Sequence, residues 1–215
     1  MTDKFYTIPS VSKQCIETLG KKIKWNTWDL VLEPSAGNGS FLKQIPVENK
    51  IGIDILPEDE NITQCDFFEY KVPKVKKILV IGNPPFGKVS SLAVKFFNHA
   101  ASFASVIAFI VPRTFRRTSV QNKLDMSFHM IHDEDIPPHS FEPHMNAKCC
   151  FQIWIKKRSK RSIQKLKTIH EDWEFLKFGP NDSNNQPTPP EGADFALRAY
   201  GGKCGEITVS YTHLT

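Results

Sequence analysis

No stretch of this chain approaches the roughly 20 apolar residues that a bilayer-crossing helix needs. Its longest apolar run, Val106 to Val111, has the length of a strand. The cysteines are equally uninformative as a framework. Cys15, Cys65, Cys149, Cys150 and Cys204 include no C-x-x-C pair, and no signal sequence accompanies them. These two features predict a reduced, cytoplasmic protein with no membrane partner. Internal repeats are lacking too, so the 215 residues suit a single main core with an appendage. Acidic residues fall short of basic ones, 23 against 28, for a net charge of +5 and a pI near 8.9. That balance favours a polyanionic partner without requiring one.

What is present is a series of short apolar runs: Leu30 to Leu32, Ile51 to Ile53, Ile78 to Ile81, Val106 to Val111 and Phe151 to Ile155. Runs without polar alternation mark strands buried on both faces, as in a mostly parallel sheet covered by helices. Leu92, Phe96, Phe97, Ala100 and Phe103 recur at helical spacing and predict a crossover helix capped by Ser90 or Ser91. Val11 to Leu19 predicts an earlier helix with Ser10 or Ser12 as its cap, and Met126 to Ile131 a further strand. After Ile155 the basic cluster Lys156-Lys157-Arg158-Ser159-Lys160-Arg161 leads into a helix-like stretch. A loop from Gly179 to Gly192 follows, then a hairpin from Asp194 to Val209 around Gly201-Gly202.

The chemistry gathers at strand ends. Ile78 to Gly82 runs into Asn83-Pro84-Pro85-Phe86. Two consecutive prolines lack N–H groups and fix φ, so the strand must leave the sheet in a stiff conformation, and the residue before proline is held extended. The Asn83 carboxamide oxygen and the Pro84 carbonyl then lie close together as acceptors, with the Phe86 ring two residues on. Such a group can grip a planar amine and stack its ring, although the tetrapeptide alone also reads as a plain turn. Upstream, Glu33-Pro34-Ser35-Ala36-Gly37-Asn38-Gly39-Ser40-Phe41 is a glycine turn between a strand and an expected helix, and it is not the G-x-G-x-x-G of dinucleotide folds. Asp54, near the end of the next strand, can accept from both hydroxyls of a ribose or simply be solvated. Asp66 can accept from an exocyclic amine while Phe67 packs on its ring, and Phe67-Phe68 can equally be core.

Four strand ends in this order resemble the adenine-N6 methyltransferases, whose donor is S-adenosylmethionine. The amino-terminal segment Asp3 to Pro9 joins the likeness, which spans residues 3 to 157 and is greatest to small adenine methylases of bacteria, phages and large DNA viruses. The resemblance implies a Rossmann-like class I methyltransferase fold, a doubly wound and mostly parallel sheet with an antiparallel edge strand. It implies a methyltransferase domain over 1–158 and a basic linker with a small carboxyl-terminal segment over 159–215. It assigns Tyr6 and Thr7 to the donor's amino-acid end, Glu33 and Gly37 to the loop contact, Asp54 to ribose, and Asp66 with Phe67 to the donor adenine. Asn83 and Pro84 would hold the target amine. The compact glycine loop and the lack of a large recognition domain after residue 157 depart from that pattern and leave the nucleic acid open, with DNA ahead of RNA.

A stacked base cannot reach a methyl donor, so the target must flip out or come from a single strand, with Phe86 as stacking partner and Phe151 either opposite it or in the core. Arg113, Arg116 and Arg117 leave another strand end and suit phosphate contacts or a solvated helix start. The basic cluster 156–161 reads as solvated. His129, His132, His139 and His144 with the acids between them have no tight ligand spacing, so no metal is expected. Two further readings remain. Protein glutamine methylation uses a similar Asn-Pro-Pro-aromatic motif behind a larger helical domain, and a silent subunit would keep the fold for binding alone. Finally, Ser210 to Thr215 resembles translated adapter read-through, which predicts that the native chain continues past residue 209.

Overall fold

The computed structural model describes residues 5–144, 147–165, 171–185, 188, 190, 192–197, 207 and 208. In chain order the elements are β1 (Tyr6–Thr7), α1 (Pro9–Gly20), β2 (Leu30–Pro34), β3 (Lys50–Asp54), β4 (Ile62–Gln64), β5 (Ile78–Gly82) and α2 (Ser91–Ala101). They continue with β6 (Val106–Pro112), α3 (Thr118–Gln121), β7 (Phe128–Asp135), β8 (Phe141–Glu142) and β9 (Cys149–Lys156). Seven strands form one sheet in the order β4-β3-β2-β5-β6-β9-β7. The first five run parallel, whereas β9 is antiparallel to β6 and the edge strand β7 is antiparallel to β9.

The apolar runs are buried on both faces for a simple reason: side chains alternate along a strand. Leu30, Leu32, Ile78 and Val80 join the core beneath α2, together with Phe96, Phe97 and Trp154. Val31, Leu79 and Ile81 point the other way, into the core beneath α1 with Ile16 and Leu19. The chain enters this sheet at β2, moves outward through β3 and β4, then returns to β5 on the other side of β2. This puts a topological switch point between β2 and β5, where a crevice opens at the carboxyl ends of the strands.

Both expected helices form, but neither is capped by its serine. Helix α1 starts at Pro9, after an extended Ile8, because proline fits the first helical position without losing a useful N–H. Ser12 is instead within the helix, its hydroxyl proton within reach of two carbonyls, that of Ser40 at 2.9 Å and that of Pro9 at 3.1 Å. Ser90 does precede α2, yet in a left-handed conformation, with its hydroxyl bonded to that of Thr114 at 2.6 Å. The helix expected after the glycine turn is reduced to the 3-10 turn Leu42–Gln44. Pro46 follows closely, and the residue before a proline is driven out of the helical region. The expected strand at 126–131 starts and ends later, as β7, with a bulge between Met130 and His132.

Residues Met1–Gln164 form one compact unit and Lys165–Thr215 a second. The Arg161 guanidinium is built into the first. Its Nε donates to the Phe128 carbonyl at 2.6 Å, its Nη2 to the Gln121 and Leu124 carbonyls at 3.2 and 3.4 Å, and it stacks over Trp154. In the second unit, residues 171–178 are not helical. There β10 (Ala196–Leu197) and β11 (Ile207–Thr208) pair antiparallel. The turn expected at Gly201-Gly202, along with Cys204 and residues 209–215, lies outside the described residues. No helix among the described residues is long and apolar enough to cross a membrane.

Candidate active site

A cavity of about 450 Å³ opens where the switch point predicts it, walled by the segments that follow β2, β3, β4 and β5 and by the amino-terminal strand. Of the residues singled out in the sequence, Tyr6, Gly37, Asp54, Asp66, Phe67, Asn83, Pro84 and Phe86 all line it. The glycine turn, the two acids and the Asn-Pro-Pro-Phe corner thus share one space. Thr7 and Glu33 do not line it; both are buried just behind its wall.

The β2–β3 side holds itself together through backbone groups. One Asp54 carboxylate oxygen accepts the Gly37 N–H and the other the Leu56 N–H, each at 2.8 Å. A carboxylate has acceptor sites for about four donors, so Asp54 can still take a hydroxyl pair from the cavity. Gly37 has φ +55°, and a Cβ there would meet the Tyr6 ring at 2.6 Å. Only glycine allows both the turn and the aromatic contact. The Tyr6 hydroxyl donates to Glu58, whose N–H donates to the Gly37 carbonyl at 2.9 Å. Burial and the Glu58 carboxylate together raise the pKa of the Tyr6 phenol, so it stays protonated as the donor.

Glu33 is 2% exposed, and its Oε2 accepts the Leu42 N–H at 2.7 Å. Burial pushes its carboxyl well above the usual range, against the pull of the Leu42 and Phe41 N–H groups. It therefore anchors the chain leaving the glycine turn. Gly82 packs on it with φ +154°, and a Cβ there would lie 3.3 Å from the Glu33 Cγ. Asp66 closes a local turn by accepting the Phe68 N–H at 2.8 Å. Phe67 is in the core, its ring 4.7 Å from His99 and 5.0 Å from Phe96, whereas Phe68 is the exposed ring of the pair. Both rings line the cavity, Phe67 from the core and Phe68 from the exposed rim.

Across the cavity, the Asn83 amide is oriented by a single bond. Its Nδ2 donates to the Phe5 carbonyl at 3.3 Å, and its Oδ1 is buried with no hydrogen-bond partner among the described residues. A buried acceptor left unpaired costs about 1–3 kcal/mol, so this oxygen can accept from a donor that enters the cavity. Pro84 is buried beside it and Phe86 half-buried. Beyond Phe86 the chain turns through Val89 and Ser90, both at positive φ. This corner is drawn tight by the Leu92 and Ala93 N–H groups donating to the Phe86 carbonyl. Phe151 is fully buried in the core under α1 and does not reach the cavity.

The three rim arginines differ. Arg113 is paired with Asp135 at 2.7 Å, and Arg116 with both Asp133 at 2.5 Å and Asp135 at 2.8 Å. Buried Gln152 steadies Asp133 from beneath at 3.1 Å. Arg117 is exposed and has no ion pair among the described residues. The acids of β7 had drawn notice only as weak metal ligands, and the antiparallel return of β9 and β7 that brings them to the arginines is not visible in spacing. Of the cluster 156–161, Lys156 donates to the Ala101 carbonyl at 3.0 Å and Arg161 is internal, as above. Glu58 and Phe5 also escaped notice. Both act through local turns and backbone atoms, for which residue type gives no signal.

No protein-family profile matches the chain, and no curated protein matches it by sequence. Solved structures do match its fold. The crystal structure of the 23S rRNA methyltransferase ErmE has a TM-score of 0.51 at 13% identity, over 74% of this chain and 71% of that one. The M protein of the type I restriction enzyme EcoKI has a TM-score of 0.53 at 15% identity, over 70% of this chain and 44% of its own. Magnesium protoporphyrin IX methyltransferase from Synechocystis PCC 6803, crystallised with bound SAM, has a TM-score of 0.50 at 10% identity, over 69% of this chain and 79% of that one. The chain therefore has the Rossmann-like architecture of these methyltransferases, and it spans less than half the length of the EcoKI subunit.

Proposed function

We propose that this chain transfers the methyl group of S-adenosylmethionine to the exocyclic N6 amine of adenine in nucleic acid, with DNA as the leading substrate. The observation that carries the reading is the buried Asn83 Oδ1, without a partner among the described residues, on the wall of the same cavity as Gly37 and Asp54. Such an acceptor serves a donor such as an amine. The methyltransferase domain proper would be 1–158, with the basic linker and carboxyl-terminal segment after it, the first residues of that linker packing on the domain through Arg161.

The cavity suits the donor. Asp54 would take its ribose hydroxyls, Asp66 its adenine amine with Phe67 behind the ring, and Gly37 would let it approach the backbone. Tyr6 and Thr7 would lie toward its amino-acid end, while Glu33 would hold the loop in shape. When bound, S-adenosylmethionine supplies an electrophilic methyl on a sulfonium. The amine of adenine is a weak nucleophile because its lone pair is delocalised into the ring. Asn83 Oδ1 and the Pro84 carbonyl would accept its two protons and draw the nitrogen toward tetrahedral geometry, freeing the lone pair for attack on the methyl carbon. Acceptors already in place for the positive charge that develops need no reorganisation during the reaction, and alignment supplies most of the remaining rate. Asn83 and Pro84 would hold the nitrogen while its new N–C bond replaced the donor's C–S bond, and the surplus proton would leave to water.

Phe86 would stack the extruded base. Arg117 would meet phosphate, while Arg113 and Arg116 would contribute after sharing their charge with Asp133 and Asp135. Adenine in RNA fits the same clamp, and the fold shared with a 23S rRNA methyltransferase favours that second reading. Labelled donor offered with duplex DNA, single-stranded DNA and RNA separates the two. Label recovered as N6-methyladenine is the expected result, and the arm that gives it names the substrate. Label in cytosine or in protein glutamine would overturn the assignment.

A further inference from the structure

The amino-terminal strand crosses both halves of the cavity. Strand β1 is short, held at one edge by two residue pairs with β8, Tyr6 with Glu142 and Thr7 with Phe141. Toward the glycine turn its Tyr6 ring rests on Gly37 and the hydroxyl donates to Glu58. Toward the amine clamp the preceding carbonyl, that of Phe5, accepts from the Asn83 Nδ2. Glu58 is itself fixed to the glycine turn, because its N–H donates to the Gly37 carbonyl.

We propose that Glu58 is a positioning residue: by holding Tyr6 it keeps β1 across the donor cavity and, through the Phe5 carbonyl, keeps the Asn83 oxygen turned toward the incoming amine. The proposal rests on the methyltransferase reading given above. Its physical basis is the asymmetry of an amide. With Nδ2 on the Phe5 carbonyl, Oδ1 must face away as an acceptor; a flipped amide would set two acceptor oxygens against each other. The orientation of Asn83 therefore depends on where Phe5 lies, and Phe5 depends on a two-residue strand that β8 fastens on one side only. The bond to a carboxylate is of the stronger, charge-assisted kind, and it supplies the fastening on the other side. Glu58 is exposed and belongs to neither hydrophobic core, so its removal leaves the packing of the sheet intact.

Glu58→Ala, Glu58→Gln and the wild type distinguish this role from a structural one. S-Adenosylhomocysteine is the binding probe, followed by stopped-flow displacement, and methyl transfer is read in a single turnover at saturating donor on an adenine-containing oligonucleotide. Loss of one charge-assisted bond corresponds to a roughly tenfold faster release of the probe in Glu58→Ala. The same variant should also transfer more slowly at saturation, because the Asn83 amide is no longer fixed. Glu58→Gln, which keeps an acceptor for the Tyr6 hydroxyl, should recover most of both, and the melting temperature should stay within about 2 °C in all three, as expected of an exposed site. Unchanged release in Glu58→Ala overturns the proposal, as does a Glu58→Gln variant no better than Glu58→Ala. A wild-type protein that binds no S-adenosylhomocysteine overturns the methyltransferase reading itself, and the latch with it.

Discussion

The two sides of the cavity are built on opposite plans. On the β2–β3 side the polar groups are paired internally: Asp54 takes two backbone N–H groups, Glu33 takes the Leu42 N–H, and Glu58 links Tyr6 to Gly37. On the β5 side the Asn83 oxygen has no partner among the described residues, and the chain beyond it passes through two successive non-glycine residues at positive φ, Val89 and Ser90, against one, Ser35, on the other side. A side that is already satisfied can receive a ligand without rearranging. A side that carries an orphaned acceptor and backbone strain is incomplete until a substrate arrives, and such features collect where function requires them. The contrast supports the proposed division, with holding on the first side and reaction on the second.

Substitution on the reactive side should break that contrast most sharply. Asn83→Ala removes the orphaned acceptor, and a preorganised polar group of this kind is worth about 10²–10³ in rate. Methyl transfer should fall by that much while S-adenosylhomocysteine binding, measured by calorimetry, changes little. Equal losses in both would sink the division of labour. Gly37→Ala makes the complementary cut. The added methyl meets the Tyr6 ring and the residue is held at φ +55°, for a cost of about 1–3 kcal/mol. Donor binding should weaken tenfold or more, whereas the rate at saturating donor should hold better than in Asn83→Ala. A variant that binds normally would show that the ring of Tyr6 does not depend on this turn.

The same contrast explains how much of the molecule was legible in its sequence. Strands buried on both faces announce themselves, so the sheet, α1 and α2 could be read from Leu30–Leu32, Ile78–Ile81 and the Phe96–Phe97–Ala100 stripe. The cavity residues could be read because each follows a strand end, where sheet topology gathers loops. Pairings made by the antiparallel return of β9 and β7 could not. Arg113 and Arg116 looked like open phosphate ligands because Asp133 and Asp135 are distant in sequence, and Arg161 looked solvated because its partners are backbone carbonyls. Serine caps failed for a related reason: Pro9 sets the start of α1 through its ring, and Ser90 spends its hydroxyl on Thr114. Where a residue's partner is chosen by tertiary structure, its type predicts only the kind of bond and not the recipient.

Glu33 sharpens the comparison through pH. Its carboxyl is buried on the satisfied side, with a folded-state pKa raised above its value in the unfolded chain. The folded state therefore holds a proton that the unfolded state gives up, and stability falls as pH rises from the ordinary glutamate range toward the raised value. Each unit of that difference is about 1.4 kcal/mol. In Glu33→Gln the side-chain oxygen can still accept the Leu42 N–H, and the titration is gone. Thermal unfolding followed from pH 4 to pH 8 should show the wild type losing stability relative to Glu33→Gln across this range. Parallel curves would mean that Glu33 titrates like a solvated acid.

The smallest effect should come from the strained turn beyond the clamp. Val89 is β-branched, 74% exposed, and held at φ 53° and ψ 38°. A left-handed conformation costs an L-residue about 1–2 kcal/mol, and glycine avoids that cost while giving back about 0.5–1 kcal/mol in unfolded-chain entropy. Val89→Gly should therefore raise stability slightly, by about 0.5–1 kcal/mol, or 1–4 °C in melting temperature for a chain of this size. Methyl transfer should slow in the same variant, because a relaxed turn no longer fixes the corner that carries Asn83 and Phe86. If the variant is instead less stable and equally fast, the turn is not under strain. The asymmetry between the two sides would then rest on the Asn83 oxygen alone.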